Sequence, residues 1–324
     1  MNKQLKIFDC SNSSERPPHR DNSFGPKEND IVADLKKYSS SFGATFVNSI
    51  DDCNIIFTND VFPSYLKKSK IPKIKRMDGV YWNTDFTYRN AHLNEAALIA
   101  DKVIFISTFS AASLNKLYPL DYKELKKPTV ILNTADNSIF YPKWYKENKP
   151  NKELKLTAIA SSWTRKEKRF DSILKLAIKS NMQFNIIGDC PFENLPSNIN
   201  NFGYIEKKER VADILREQTD IFVNLSYADA CPKVVSQARA SGLPILYAMS
   251  GGLEEQVCDR GCFDGLFEDL TFSNEVPKLD DNEVFENLSY MAVNYKSFRE
   301  MSLETIPNHM MTMYKYFKAF REML

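Results

Sequence analysis

Along most of this chain, short apolar β-rich runs alternate with segments whose apolar residues recur at helical spacing. LKIFD (5–9) reads as a first strand. Residues 28–42 then place Ile31, Val32, Leu35 and Tyr38 on one helical face. ATFV (44–47), NIIF (54–57) and PKIKR (72–76) are strand candidates, followed by a helix over about 85–99, a strand at KVIFIS (102–107), a helix at 108–117 and a strand at PTVILN (128–133). YPKWYKENKPNKELK (141–155) breaks the rhythm with Pro, Lys and Asn and reads as a linker. A second series begins with LKLTAIA (154–160), a helix over 168–180 and QFNIIGD (183–189). It continues with a helix at 206–217, DIFVNLS (220–226), a helix at 232–241 and PILYAM (244–249). This βαβα alternation predicts an α/β protein with doubly wound parallel sheets. The expected division is 1–145, 150–290 and a helical tail, 291–324, that packs back toward the first domain. Met310, Met311, Met313, Tyr314, Phe317 and Phe320 form an apolar stripe in that tail, expected to serve packing.

Composition narrows the class. A chain of 324 residues with 43% hydrophobic and 26% charged residues fits a globular protein of two ordinary domains. No apolar run is long enough to span a bilayer, and the first residues lack the apolar core of a signal peptide. The expected location is cytoplasmic, with peripheral contact at the inner membrane face as an extension. The six cysteines (Cys10, Cys53, Cys190, Cys231, Cys258 and Cys262) are scattered, which predicts reduced thiols. Cys258 and Cys262 are four apart, but with only His19, His92 and His309 no zinc set is spaced convincingly. Net charge is +1, yet residues 1–150 hold 22 Lys and Arg against 17 Asp and Glu. Much of that excess lies in LKKSKIPKIKR (66–76), which reads first as solvated surface and alternatively as a contact for an anionic acceptor or lipid surface. Nowhere does positive charge reach the density expected of a nucleic-acid binder, so no nucleic-acid partner is expected.

Three segments carry chemistry. DACPKVVSQARASGLPILYAMSGG (229–252) reads as loop, helix, Gly-Pro turn, strand and second glycine turn. Pro232 suits a first helical position, and Cys231, Pro232, Lys233 and Val234 form a helix start whose N–H groups and dipole favour an anion or a sugar oxygen. Asp229 and Gln237 bracket that start and could reach hydroxyls of a ligand lying across it; alternatively, Asp229 is a cap and Gln237 a surface residue. SSWTRKEKRFD (161–171) places Arg165, Lys166, Lys168 and Arg169 on a strand-to-helix loop, where a diphosphate would find cations, or where a basic loop is simply solvated. IIGDCP (186–191) is a buried strand ending in a glycine turn.

In this order the three segments resemble the C-terminal domain of the family-4 retaining glycosyltransferases (glycosyl transferases group 1) of GT-B fold. NTADNSIFYP (133–142), ADKVIFIST (100–108), GYIEKKERVADILREQTDIFVNLS (203–226) and RMDGVYW (76–82) extend the likeness over most of residues 70–260. The resemblance implies two Rossmann-like domains facing a cleft, an acceptor-side N-terminal domain and a nucleotide-sugar-binding C-terminal domain. The family's paired glutamates fall on Asp229, toward the donor sugar, and Gln237, toward the ribose. Its diphosphate-binding lysine falls on Lys168, the glycine after it is replaced by Arg169, and the usual preceding arginine falls near Trp163. Gly188 matches the turn near the base, Gly25 a glycine loop approaching the diphosphate, and Asp78 stands nearest the histidine the family often places by the transferred sugar. The implied activity is a metal-independent, retaining hexosyl transfer from a nucleoside-diphosphate sugar to a glycan, lipid-linked or small-molecule acceptor, with no cofactor beyond the donor. The alternatives are a nucleotide-sugar epimerase or hydrolase, or a non-catalytic binding or assembly protein on the same fold.

Overall fold

The computed structural model describes residues 4–11, 30–143, 153–257 and 272–324. Gly25, His19, Cys258 and Cys262 lie outside them. The chain forms two compact units, Met1–Leu132 with Met310–Leu324, and Asn133–His309. The first contains β1 (Leu5–Asp9), β2 (Ala44–Val47), β3 (Ile55–Thr58), β4 (Lys73–Met77), β5 (Lys102–Phe105) and β6 (Thr129–Val130), in spatial order β2-β1-β3-β4-β5-β6. The second contains β7 (Lys155–Ser162), β8 (Gln183–Asp189), β9 (Ile199–Asn201), β10 (Ile221–Asn224) and β11 (Ile245–Tyr247), in order β11-β10-β7-β8-β9. Every pairing is parallel. The protein is therefore α/β with two parallel sheets.

Both faces of each sheet are covered, which explains strands that read as nearly continuous apolar runs. In the first unit, Leu5, Ile7, Ile55, Phe57, Ile74 and Ile104 pack on one face against Ile31, Val32 and Leu35. The same core takes Met313, Tyr316, Phe317 and Phe320 from the terminal helix His309–Arg321. Their i, i+3, i+4, i+7 spacing is the true buried stripe. Met310, Met311 and Tyr314, which the sequence placed in that stripe, are exposed. In the second unit, Leu156, Ala158, Phe184, Ile186 and Val223 pack with Phe170, Ile173, Val284, Leu288 and Met291 on one face, while Phe222, Ile245 and Tyr247 pack with Phe140, Val211, Val235 and Leu253 on the other.

Sequence and structure part at β4. Lys73, Lys75 and Arg76, expected in solvated surface, are buried in the middle of the first sheet, and only Lys67, Lys68 and Lys70 of that basic stretch are exposed. The alternating pleat sends Ile74 and Arg76 to one face and Lys73, Lys75 and Met77 to the other. A buried arginine is costly unless paired. Arg76 forms an ion pair with Asp78 just past the strand end, and its Nε donates to the Tyr316 hydroxyl at 3.0 Å. Lys102 of β5 is likewise buried and reaches Glu322 at 2.7 Å, which holds the Glu322 carboxyl below its usual range. The terminal helix and the residue just past it thus supply both apolar cover and partners for buried cations.

Lys75 donates to the Arg76 carbonyl at 2.7 Å. Burial lowers its pKa to about 8, with Asp78 and Asp60 acting in the opposite direction. Because the native state releases this proton before the unfolded chain does, Lys75 weakens the fold at neutral pH, and the penalty fades as pH rises from about 8 toward the ordinary lysine value of 10.5. Its neighbour Cys10 works the other way. Burial raises that thiol to about 12, so the stability it contributes below the ordinary thiol pKa falls as pH climbs from there toward about 12. The comparison that isolates Lys75 is therefore wild type against Lys75→Met. The variant is expected to be more stable at pH 7 by as much as roughly 3 kcal/mol, with the advantage shrinking toward pH 10 in denaturant titrations. A pH-independent difference would contradict the assignment.

Candidate functional site

Lys168 follows β7, Gly188 lies near the end of β8 and Asp229 follows β10, so these three sequence-predicted residues stand at the carboxyl ends of neighbouring strands, where open α/β sheets bind ligands. After β7, Lys166–Lys168 form one 3₁₀ turn, and the chain enters the Phe170–Ser180 helix through Arg169 at φ +50°. That left-handed backbone is glycine-like, and a non-glycine residue there costs about 1–2 kcal/mol. Arg169 is buried, and its guanidinium donates to the carbonyls of Leu225 (3.0 Å) and Pro277 (2.9 Å) and lies over the Tyr227 ring. It ties loops together, directed into the protein, so the sequence-based picture of Arg169 as a cation offered to a diphosphate gives way to a structural one. Position 163, where the resemblance would have an arginine, is a buried tryptophan packed on Phe170. Arg165 is half-exposed and ion-paired with Glu167.

Lys168 and Asp229 come together. The Lys168 ammonium donates to Asp229 Oδ2 at 2.9 Å and to Ser226 Oγ at 3.3 Å. An ammonium has three donors and a carboxylate two acceptor oxygens. Among the described residues, one Lys168 N–H and Asp229 Oδ1 make no hydrogen bond, so the pair keeps one donor and one acceptor for a ligand. The side chains are 12% and 25% exposed, enough to be reached and enough withdrawn from water to strengthen such contacts.

Backbone crowding sets this geometry. Tyr227 N donates to the Glu167 carbonyl at 2.8 Å, joining the Asp229 loop to the lysine turn. Ala228 adopts φ +51° and its N–H donates to Ser250 Oγ at 2.9 Å. Gly252 N donates to the Asp229 carbonyl at 2.9 Å. Gly251, at φ +72°, lies so close that a Cβ there would run into the Asp229 backbone. The second glycine turn of the sequence motif is the floor beneath Asp229.

The helix start is bolted from below. Pro232 caps the Lys233–Ala240 helix with extended backbone, one residue ahead of the helical position expected for it, and the first helical bond runs from Val235 N to the Pro232 carbonyl at 3.1 Å. The N–H groups of Lys233 and Val234 fall at the helix's positive end. Asn133 donates through Nδ2 to the Cys231 carbonyl (2.8 Å) and through its backbone N–H to Cys231 Sγ (3.3 Å). Cys231 is thus turned inward, and its side chain is a packing group. Gln256 Nε2 donates to the Pro232 carbonyl at 2.9 Å and to Ser236 Oγ, which donates to the Asn133 carbonyl. The Gln237 side chain, part-exposed on this helix, makes no hydrogen bond among the described residues. Ser226, Asn133, Ser236 and Gln256 were not singled out from the sequence. Ser226 was visible only as the last residue of a strand and Asn133 only as the first residue of the NTADNSIFYP segment, with no role given to either; Ser236 and Gln256 act through tertiary contacts that no local pattern reports.

Gly188 closes the edge of the site. At φ +132°, a Cβ would collide with the Ala160 carbonyl of the neighbouring strand. Asp78 belongs to the other unit, 52% exposed at the carboxyl end of β4, and Gly25 lies outside the described residues. Among the described residues no group of three or more His, Cys, Asp or Glu side chains could hold a metal ion, and no helix is long and apolar enough to cross a membrane.

The fold, with its two parallel sheets, is that of solved GT-B glycosyltransferases. Sucrose-phosphate synthase (tll1590) from Thermosynechococcus elongatus is similar with a TM-score of 0.65 at 16% identity, over 98% of this chain and 88% of that one. Anabaena Alr3699/HepE, solved in complex with UDP, gives 0.64 at 12% identity over 99% of this chain and 100% of that one. The pneumococcal O-GlcNAc transferase GtfA, in complex with UDP and GlcNAc, gives 0.60 at 13% identity over 83% of this chain and 56% of that one. No protein-family model matches the chain, and no curated protein matches it.

If Gly188 is fixed by contact as well as by conformation, Gly188→Ala should cost about 3 kcal/mol or more. Gly203→Ala, at φ +65° with nothing within 4 Å of the added Cβ, should cost only about 1 kcal/mol. Urea midpoints that shift equally for the two variants would show that the strand contact does not matter.

Proposed function

We propose that the protein is a glycosyltransferase that takes a sugar from a nucleoside diphosphate and passes it to a hydroxylated acceptor. The observation that carries this is the Lys168–Asp229 pair, held at 2.9 Å with one N–H and one carboxylate oxygen still open, in the loop that leads to a helix start. In this reading the open N–H of Lys168 meets the diphosphate, together with the N–H groups at the start of the Lys233–Ala240 helix. These donors are in place before the anomeric C–O bond breaks, so they stabilise the departing charge without reorganising. Asp229 accepts from hydroxyls of the transferred sugar while Lys168 fixes its orientation, and Gln237 serves the ribose. Several neighbours of the same fold were solved with UDP or UDP-glucose, which makes UDP the first donor nucleotide to try.

We assign the transfer as retaining and hexosyl, without a metal or other cofactor. The acceptor is a glycan, a lipid-linked sugar or a small molecule, and Asp78 of the N-terminal unit is the residue proposed on its side. The location proposed is cytoplasmic, with the exposed Lys68 and Lys70, beside Lys67 in its ion pair with Glu95, as the basic group facing an anionic membrane surface.

Calorimetric titration with UDP tests the donor site. Lys168→Ala should weaken binding roughly 10- to 100-fold, the scale of losing a charged hydrogen bond. An unchanged Kd would sink the role assigned to Lys168. Incubation with UDP-glucose separates the enzymatic alternatives: turnover without acceptor points to a hydrolase or epimerase, and binding without turnover under any acceptor points to a non-catalytic protein.

A further inference from the structure

The loop that follows β4 in the N-terminal unit is built unlike an ordinary connection. Its ends are clamped by Asn90, which is 1% exposed: Tyr81 N donates to Asn90 Oδ1 and Asn90 Nδ2 donates to the Tyr81 carbonyl, both at 2.8 Å. Within it, Phe86 N donates to the Asn83 carbonyl at 2.9 Å and Arg89 N to the Phe86 carbonyl at 3.0 Å. The Arg89 guanidinium stands 5.5 Å from the Tyr81 ring centroid, 5.3 Å from that of Phe86 and 5.7 Å from that of Tyr88, and its Nε donates to the Tyr88 hydroxyl at 3.2 Å. Yet Phe86 and Tyr88 remain 40% and 62% exposed. Large rings held in water by a preformed loop, centred on one cation, are an arrangement that folding alone does not require.

We propose that the Tyr81–Arg89 loop is a saccharide-binding platform that takes a pyranose ring of the acceptor against Phe86 and Tyr88. The identification of the bound sugar as acceptor rests on the glycosyltransferase reading above; the platform itself does not. The chemistry fits on three counts. The face of an aromatic ring is electron-rich, and the C–H groups on one face of a pyranose carry the complementary weak positive charge. Phe and Tyr offer broad contact with few torsions to freeze, and the clamp at Asn90 freezes the backbone in advance. Tyr hydroxyls and the Arg89 N–H edge surround the rings with groups able to bond sugar hydroxyls. The loop also begins just past Asp78, at the carboxyl end of a central parallel strand, where ligands of such sheets collect. An anionic lipid surface fits less well, because the exposed Asp85 lies in the same loop and would be repelled by it.

The test uses the full chain and saturation-transfer NMR with a panel of methyl α- and β-glycosides of glucose, galactose and N-acetylglucosamine. At least one glycoside should bind, Phe86→Ala and Tyr88→Ala should each weaken it about tenfold or more, and Phe86→Tyr and Tyr88→Phe should retain it. UDP affinity, measured in parallel, should be unchanged in all four variants. If the wild type binds neither UDP nor ADP, GDP, CDP or dTDP, the glycosyltransferase reading falls while the platform stands. Absence of binding by every glycoside, equal binding by the alanine variants, or capture by phosphatidylserine vesicles that depends on Phe86 and Tyr88 would overturn the platform.

Discussion

A single ion pair organises the C-terminal unit's site. Lys168 lies on the turn after β7 and Asp229 on the loop after β10, adjacent strands of one sheet, and the pair closes only because both loops are forced down onto their supports. Tyr227 N reaches back to the Glu167 carbonyl, Arg169 reaches forward to the Leu225 carbonyl, and Gly251 lets the chain pass beneath Asp229 with no room for a side chain. Two residues in left-handed backbone, Arg169 and Ala228, are part of this arrangement. Strained backbone concentrates where geometry is over-determined by its surroundings, and here the surroundings deliver a lysine with one donor and an aspartate with one acceptor left for a ligand.

The N-terminal unit solves a different problem. It buries Lys73, Lys75, Arg76 and Lys102 in the adjacent inner strands β4 and β5. Such charges are tolerated only with partners in reach, and two of those partners, Tyr316 and Glu322, come from the last helix of the chain and the residue just past its end. That helix is consequently part of the first unit's core, although more than 170 residues of the second unit intervene in the sequence. The Arg76–Asp78 contact carries the consequence to the strand end, where the aspartate is held at the base of the aromatic loop.

Much of this was legible in the sequence. Short, nearly continuous apolar runs located QFNIIGD and most other strands, because both faces of each sheet are covered, and period-3.6 patterns located most helices, to within a few residues. The order of a basic loop, a Gly-Asp turn and the 229–252 segment drew Lys168, Gly188, Asp229 and Gln237 toward one site. What escaped was tertiary. The run KIKR carries three cations in four positions and looks solvated, since nothing local reveals that Tyr316, 240 residues away, will meet one of them. PTVILN reads as a six-residue strand but pairs only over Thr129–Val130. Arg169 looked like a free cation because its carbonyl partners, Leu225 and Pro277, lie far along the chain. Met310, Met311 and Tyr314 looked buried because a stripe of apolar residues does not state which of two faces the neighbouring sheet will cover.

The central claim is that the Lys168–Asp229 pair receives the diphosphate and sugar of a nucleotide-sugar. A crystal structure of the full chain grown with UDP tests it most directly. The account predicts a phosphate oxygen within hydrogen-bonding distance of Lys168 Nζ, with the ribose toward Gln237. UDP bound elsewhere on the protein, or bound in this unit with Lys168 Nζ still making only its contacts to Asp229 and Ser226, would contradict it.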